Sequence, residues 1–234
     1  MGARAKAVFP LALVIGVLSF LWTEFALNFT FHWGAAGNLG NGLDLPKSFH
    51  LILPTAFISW GLFFAAGGDN AAFGKVFLAC VIGSVAALIT MGLSFKTADL
   101  PDFWGIALWV GVFAFLLVMI LIFGDWYYVA GTFPAFAATF LWWIATGLDG
   151  WAINGGGIKS DVPTIVGSLT QGILAKDSAG ATAGFGAFAG ILSTPWQWVW
   201  FDTFVTLVCG CILGIVSGKI TAAITPKPKV PAEA

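Results

Sequence analysis

The stretch FWGIALWVGVFAFLLVMILIF, from Phe103 to Phe123, contains 21 residues and no charged side chain. An α-helix of this length spans about 30 Å, which is the thickness of the hydrocarbon core of a bilayer. Five further apolar windows of similar length are bounded by Gly, Pro, Asn or charged residues. They cover residues 7–29, 49–67, 73–94, 127–147 and 196–218. The sequence therefore predicts an all-α integral membrane protein with six transmembrane helices.

The composition indicates the same class. The chain is 59% hydrophobic and 9% charged, whereas soluble domains carry roughly 25% charged residues. Residues 1–225 suffice for one transmembrane bundle, and the Pro-rich residues 226–234 are predicted to be a disordered cytoplasmic tail. The net charge is −1, and the cations are scattered. Because no basic stripe is present, nucleic acid is excluded as a partner, and the lipid bilayer is the expected environment.

The distribution of Lys and Arg predicts the orientation. Six spans place both termini on one side of the membrane. One side then receives six cations and the other receives four, and positive residues favour the cytoplasm. The six are Arg4, Lys6, Lys75, Lys219, Lys227 and Lys229, and the four are Lys47, Lys96, Lys159 and Lys176. Both termini are therefore predicted to be cytoplasmic.

A long insertion separates the fifth and sixth spans. It covers residues 148–195 and faces outward in the predicted topology. Its first half, from Asp161 to Lys176, has the periodicity of an amphipathic helix. Its second half, residues 180–193, is apolar and Gly-rich but too short to cross a bilayer. It is either a re-entrant segment or a flexible lid packed against the bundle.

The two halves of the chain resemble each other. ALVIGVLSFL, from Ala12 to Leu21, matches ALWVGVFAFL, from Ala107 to Leu116, at six of ten positions. Single-residue matches pair the second span with the fifth and the third with the sixth in the same order. They include Ala56 with Ala135, Phe57 with Phe136, Phe77 with Phe204, Val81 with Val208 and Gly83 with Gly210. Because each half has three spans, the pattern predicts an inverted three-plus-three repeat, an architecture typical of transporters.

Known catalytic and metal-binding motifs are absent from the sequence. No HExxH, GxSxG or Gly-rich loop with Lys occurs, and the chain has three cysteines and two histidines. The cysteines fall inside apolar windows, as small buried residues do, and His32 and His50 fall at the outer interface. The sequence therefore predicts no catalytic residue, no metal site and no cofactor, and it argues against an enzyme.

Two carboxylates lie inside the predicted spans. Glu24 is about 9 Å and Asp202 about 7–8 Å from the middle of its span, and each has a polar residue four positions later, Asn28 and Thr206. A charge in the bilayer centre costs about 2.5–3.5 kcal/mol, so such residues are kept mostly where they function. Both are expected to face the protein interior or an outward-opening cavity, either with polar partners or protonated. The alternative is a helix-end position at a tilted interface.

Hydroxyl groups mark further positions of interest. Thr132, Thr139 and Thr146 recur at a spacing of seven on the fifth span, and Thr55 and Ser59 lie on the second. They either line a substrate pathway or form hydrogen bonds between helices. Eight residues are therefore pathway candidates: Glu24, Asn28, Ser59, Thr132, Thr139, Thr146, Asp202 and Thr206.

Two stretches carry a family resemblance. FISWGLFFAAGG, from Phe57 to Gly68, with the following Phe73-Gly-Lys75, resembles the YcdZ-like family of small bacterial inner-membrane proteins, and YVAGTFPAFAATF, from Tyr128 to Phe140, is similar to that family's second typical stretch. The insertion 148–195 is not covered. The resemblance implies a location in the bacterial inner membrane and brings no catalytic residues.

These features favour a membrane channel or facilitator for a small neutral or weakly ionised solute, because the expected interior is rich in Thr, Ser, Gly and aromatic residues and poor in fixed charge. The alternative is an accessory subunit that packs against another membrane complex through small and aromatic residues. A membrane enzyme is the third alternative. The chain is also a candidate for a homo-oligomer or for part of a larger membrane complex.

Overall fold

The structure, a computed structural model, describes residues 2–34, 46, 48–100, 103–146, 148 and 194–225. Within these ranges every regular element is a helix and no strand occurs, which confirms the predicted all-α class. The α-helices are α1 (Ala3–Asn28), α2 (Leu53–Ala65), α3 (Asn70–Ser94), α4 (Trp104–Met119), α5 (Val129–Ala145) and α6 (Trp196–Ile224). A π-helical turn, Phe29–Gly34, continues α1, and 3₁₀ turns, Phe95–Thr97 and Ile120–Phe123, continue α3 and α4.

Four helical segments in the described part of the chain are long and apolar enough to cross a membrane. They are Arg4–Asn28, Asn70–Thr97, Trp104–Phe123 and Trp196–Ile224. The two remaining helices are shorter. With 13 and 17 residues, α2 and α5 are about 20 and 25 Å long, less than the roughly 30 Å of the hydrocarbon core. Their lengths differ from the predicted windows 49–67 and 127–147, because residues at both ends of each window are not α-helical.

Local sequence determines where the short α2 begins and ends. Pro54 occupies the first turn of the helix, where a missing backbone N–H has no consequence. Gly67 and Gly68 follow its end with φ angles of 121° and 72°, which favour glycine. The Asp69 side chain then accepts a hydrogen bond of 2.7 Å from the Ala72 amide and caps α3. The connection from α2 to α3 is therefore a tight, sequence-encoded turn.

Two helix pairs form the centre of the bundle, and in each pair the helices run in the same direction. In the first pair, Ile52 just before α2 and Ala56 and Trp60 along α2 contact Thr206, Gly210 and Ser217 along α6. In the second pair, successive residues of α5 contact successive residues of α3. The contacting residues are Gly131 with Ala79, Ala135 with Gly83, and Trp143 with Phe95.

The two pairs meet where α3 packs against α6. Phe95 and Trp196 are in edge-to-face contact, with ring centroids 5.3 Å apart, and Cys80 packs with Cys211 in one buried cluster. Because rising numbers on α3 meet falling numbers on α6, these helices are antiparallel. Another hydrophobic cluster, around the fully buried Trp143, fills the space between α3, α5 and the start of α6.

The two remaining helices, α1 and α4, are peripheral. α1 packs on α6 and the start of α2, where the Trp22 indole donates a 3.2 Å hydrogen bond to the Leu53 carbonyl oxygen. α4 packs on α3, where the Trp109 indole donates a 3.1 Å hydrogen bond to the Thr97 hydroxyl. Only 11% and 6% of their most apolar windows are buried. Their large exposed apolar surfaces are those that lipid would cover.

Two predicted features lie outside the described residues. The insertion 148–195, with its amphipathic helix and the segment 180–193, falls there except for Leu148, Thr194 and Pro195. The tail 226–234 also falls outside. Both remain predictions from the sequence.

Candidate functional site

Among the described Asp, Glu, Lys, Arg and His residues, Asp202 is the one that the helix packing buries most completely. It lies two turns into α6, on the face that packs against the bundle, and its exposed fraction is 0%. No residue that the structure describes forms a hydrogen bond with either carboxyl oxygen. Asp202 therefore faces the protein interior, as expected from the sequence.

The segment before α2 covers this carboxyl group. The backbone amide of His50 lies beside it, and the Ile52 amide donates a 3.1 Å hydrogen bond to the Thr206 hydroxyl oxygen. The Thr206 hydroxyl in turn donates a 2.7 Å hydrogen bond to the Asp202 carbonyl oxygen. We refer to His50, Ile52, Asp202 and Thr206 as the Asp202 site. Thr206 thus neighbours Asp202 as the sequence predicts.

His50 is a member of the Asp202 site that the sequence analysis assigned only to the outer interface. Its side chain is buried, and no residue in the described ranges forms a hydrogen bond with its Nδ1 atom. The sequence offered no periodic pattern around His50 from which its burial could be predicted.

Glu24 has a different environment. Its side chain is exposed on α1, and the Asn28 Nδ2 atom donates hydrogen bonds of 2.9 Å to its Oε1 atom and 2.8 Å to its carbonyl oxygen. Asn28 Oδ1 lies 2.7 Å from His32 Nδ1. Glu24, Asn28 and His32 form what we call the α1 polar line. Asn28 thus accompanies Glu24 as predicted, but the pair lies outside the bundle interior.

The position of Glu24 follows from the face of α1 that packs. Trp22, Ala26 and Phe29 are buried, and their spacing of four and three residues defines one side of the helix. Glu24 lies about 200° around the helix from Trp22. The expectation that Glu24 faces the bundle interior is therefore not met in this chain. The spacing of the aromatic and small residues Trp22, Ala26 and Phe29 is the sequence signal that could have identified the packing face of α1.

The threonines of α5 form bonds within their own helix. Thr132, Thr139 and Thr146 are fully buried, and each hydroxyl donates to the carbonyl oxygen four residues earlier, at 3.1, 3.1 and 2.9 Å respectively. Because α5 packs along α3, this line faces another helix at close range. The arrangement matches the alternative in which these hydroxyl groups stabilise packing, and it does not bring them to Asp202.

Ser59 joins the two helices of the first central pair. Its hydroxyl donates a 2.6 Å hydrogen bond to the Leu207 carbonyl oxygen on α6 and approaches the Ala56 carbonyl oxygen at 3.2 Å. Ser59 therefore lies on the same α2–α6 interface as the Asp202 site, farther along α2. Of the eight pathway candidates, Ser59, Asp202 and Thr206 share this interface, and the α1 and α5 candidates lie elsewhere.

A cavity of about 280 Å³ adjoins the Asp202 site. It lies between α1, the start of α2 and α5, and Ile52 belongs both to its lining and to the site. Most lining residues are apolar, and the two hydroxyl-bearing residues are Thr30 and Thr55. Thr30 is already engaged, because its hydroxyl exchanges hydrogen bonds of 2.9 and 3.0 Å with the Leu51 backbone. The cavity thus suits an apolar or weakly polar group.

The described residues contain no group of three or more His, Cys, Asp or Glu side chains that could hold a metal ion. Comparison with protein-family models, with curated proteins and with solved structures finds no match to this chain. The resemblance to the YcdZ-like family stays a prediction from the sequence.

Proposed function

We propose that the chain is a membrane channel or facilitator for a small neutral or weakly ionised solute. The observation that carries this proposal is Asp202, a fully buried carboxyl group on a helix of spanning length, with no hydrogen-bond partner among the described residues. Ionisable residues inside membrane proteins are costly and are kept mostly in substrate or ion pathways. A group needed only for packing would be satisfied by neighbouring donors.

The packing of the helices supports an inverted repeat. Exchanging α1 with α4, α2 with α5 and α3 with α6 converts the α2–α6 pair into the α5–α3 pair, and it converts the α1–α6 contact into the α4–α3 contact. At the level of residues, Gly210 packs against Ala56 as Gly83 packs against Ala135. These are the residues that the sequence comparison pairs. We propose six crossings related by this exchange, with the pathway between the halves.

In the proposed topology, α2 and α5 cross the bilayer together with the residues that flank them. The alternating directions of the helices fit successive crossings, and both termini are then on one side. The excess of Lys and Arg on that side favours the cytoplasm, and the family resemblance favours the inner membrane of a bacterium.

The described helices are tightly packed, which supports a closed conformation. Gly83 and Gly210 bring helix backbones into direct contact, and the hydroxyl groups of Ser59 and Thr139 are engaged by carbonyl oxygens. We propose that solute passes when the half that contains α1, α2 and α3 moves relative to the half that contains α4, α5 and α6, which opens the contact between α2 and α6. Such rocking of one repeat against another is a known mode of alternating access.

A second candidate function is that of an accessory subunit. It is favoured by the α1 polar line, because Glu24 is exposed on α1 among apolar residues that are exposed as well, Leu21, Phe25 and Leu27. Hydrogen bonds between polar groups on neighbouring membrane helices are worth about 0.6–2 kcal/mol. A partner helix with a hydrogen-bond donor at this level would satisfy Glu24, in a second copy of the chain or in another protein.

Solute flux distinguishes the two functions. Purified protein is reconstituted into liposomes, and swelling is followed by light scattering after osmotic shifts with glycerol, urea, ammonia and acetic acid. We expect flux above that of empty liposomes for at least one solute, reduced about tenfold in D202N. E24Q is the matched control, because it makes the same chemical change on an exposed carboxylate. Absence of flux for all four solutes would favour the accessory function.

A further inference from the structure

Of the donors in the described part of the chain, only the backbone amide of His50 lies beside the Asp202 carboxyl group, and no side chain donates to its oxygens. The Thr206 hydroxyl donates to the Asp202 backbone carbonyl oxygen and accepts from Ile52, and the Thr203 hydroxyl donates to the Val199 carbonyl oxygen at 2.8 Å. A bare carboxylate in such surroundings costs several kcal/mol, whereas the neutral acid is far less costly to bury. The geometry therefore favours a carboxyl group that carries a proton.

No cation in the described part of the chain compensates a charge at this position. α2 and α5 contain no titratable side chain, and on α3 and the turn that follows it Lys75 and Lys96 are exposed. On α1 the titratable groups in the outer half, Glu24 and His32, are also exposed. Within the Asp202 site, His50 is the other titratable residue, and no described residue forms a hydrogen bond with the Nδ1 atom of its buried imidazole.

A metal cation fits the site poorly. Hard divalent cations take about six or more oxygen ligands, but here a single carboxyl group is accompanied by hydroxyl oxygens that are already engaged. A proton needs only one oxygen atom. The site thus has too few free oxygen ligands for a divalent cation, but enough for a proton to neutralise Asp202.

We propose that Asp202 is a proton-binding site that is occupied in this closed conformation and exchanges its proton with water when the contact between α2 and α6 opens. The O–H bond of the carboxylic acid breaks, the proton goes to water, and the carboxylate becomes hydrated. This inference rests on the proposed function, because it makes solute passage depend on pH through Asp202. Thr206 positions the site by holding Ile52 across it.

Infrared spectroscopy of the reconstituted full chain tests proton occupancy without any solute. At pH 7 the wild type is expected to show the carbonyl-stretch band of a buried protonated carboxylic acid, and D202N is expected to lack it. E24Q should retain the band. Labelling the wild type with aspartate that carries ¹³C at the side-chain carboxyl should shift it. The label identifies the band as an aspartate even if D202N does not fold.

Flux measurements test the coupling. Wild-type solute flux is expected to vary between pH 5 and pH 9, and D202N flux to be independent of pH. An infrared band that persists in D202N, or wild-type spectra with no aspartic acid band, would overturn the inference even if solute is transported. Equal pH dependence in the wild type and D202N would also overturn it. A band assigned to Asp202 without any solute flux would instead retain the proton site and refute the proposed function.

Discussion

The backbone amide of Ile52 donates a hydrogen bond of 3.1 Å to the Thr206 hydroxyl oxygen, across 154 positions of the chain. The same hydroxyl donates to the Asp202 carbonyl oxygen, one turn earlier on α6. One side chain thus fastens the segment before α2 to α6 at the level of Asp202. Closure of the site over the carboxyl group depends on this connection.

Removal of the Thr206 hydroxyl should destabilise the fold. In T206A the buried Ile52 amide loses its acceptor, and we expect a loss of about 1–3 kcal/mol in the free energy of unfolding. T206S keeps the hydroxyl and should retain most of that stability. T225A is the control, because the Thr225 hydroxyl bonds to Thr221 at an exposed position. Reversible unfolding in mixed detergent micelles gives these values. A T206A variant as stable as T225A would contradict the role of this hydrogen bond.

Two glycines, Gly83 and Gly210, should resist substitution, whereas Gly61 should tolerate it. A Cβ atom on Gly210 would overlap the Ala56 carbonyl oxygen, and one on Gly83 would overlap the Thr132 carbonyl oxygen. We expect G210A and G83A each to lose about 1–3 kcal/mol of stability, as overpacked interiors do. G61A is the matched control, because its Cβ atom would meet no atom within 4 Å, and Ala is the better helix former by about 1 kcal/mol.

Comparison of the two glycine variants also tests the proposed repeat. If Gly83 and Gly210 occupy equivalent positions, G83A and G210A should shift the unfolding midpoint by similar amounts. A variant with Ala at both positions should lose approximately the sum of the two effects if the sites are independent. Large destabilisation by G210A together with a neutral G83A would argue against equivalence.

Much of the helical architecture could be predicted from composition and length, but the burial of single residues could not. Glu24 and Asp202 look alike in the sequence, since each lies inside an apolar window with a polar residue four positions later. Only the packing distinguishes them, because α1 is peripheral and α6 is central. Transmembrane helices are apolar on all sides, so the hydrophobic periodicity that reveals the buried face of a soluble helix is weak here.

The length of α2 is another property that could not be predicted from hydrophobicity. The apolar window 49–67 continues through Leu51 and Ile52, which are buried although the helix begins only at Leu53. In such a segment, hydrophobicity indicates that a residue is buried, but it does not indicate the conformation of the backbone. In contrast, the end of α2 has a local cause, because Gly67 and Gly68 follow the helix with positive φ angles that favour glycine.

The exposure of Glu24 can be measured with spin labels. After replacement of Cys80, Cys209 and Cys211 by alanine, a nitroxide attached at Glu24→Cys should be mobile in liposomes and should collide readily with dissolved oxygen. The same label at Ala26→Cys is the control, because Ala26 is fully buried on the same helix. An immobile label at position 24 that becomes mobile on dilution into excess lipid would instead indicate that a second copy covers the α1 polar line.

Transport that depends on Asp202 is tested most directly by solute flux in liposomes containing the wild type, D202N or E24Q at equal density. We predict flux above empty liposomes for the wild type and E24Q, with a reduction of about tenfold in D202N at pH 7, an increase of about 1.4 kcal/mol in the barrier. Circular dichroism and gel filtration establish that all three proteins are folded. Wild-type flux no greater than that of empty liposomes for every solute, or equal flux in the wild type and D202N, would contradict the proposal.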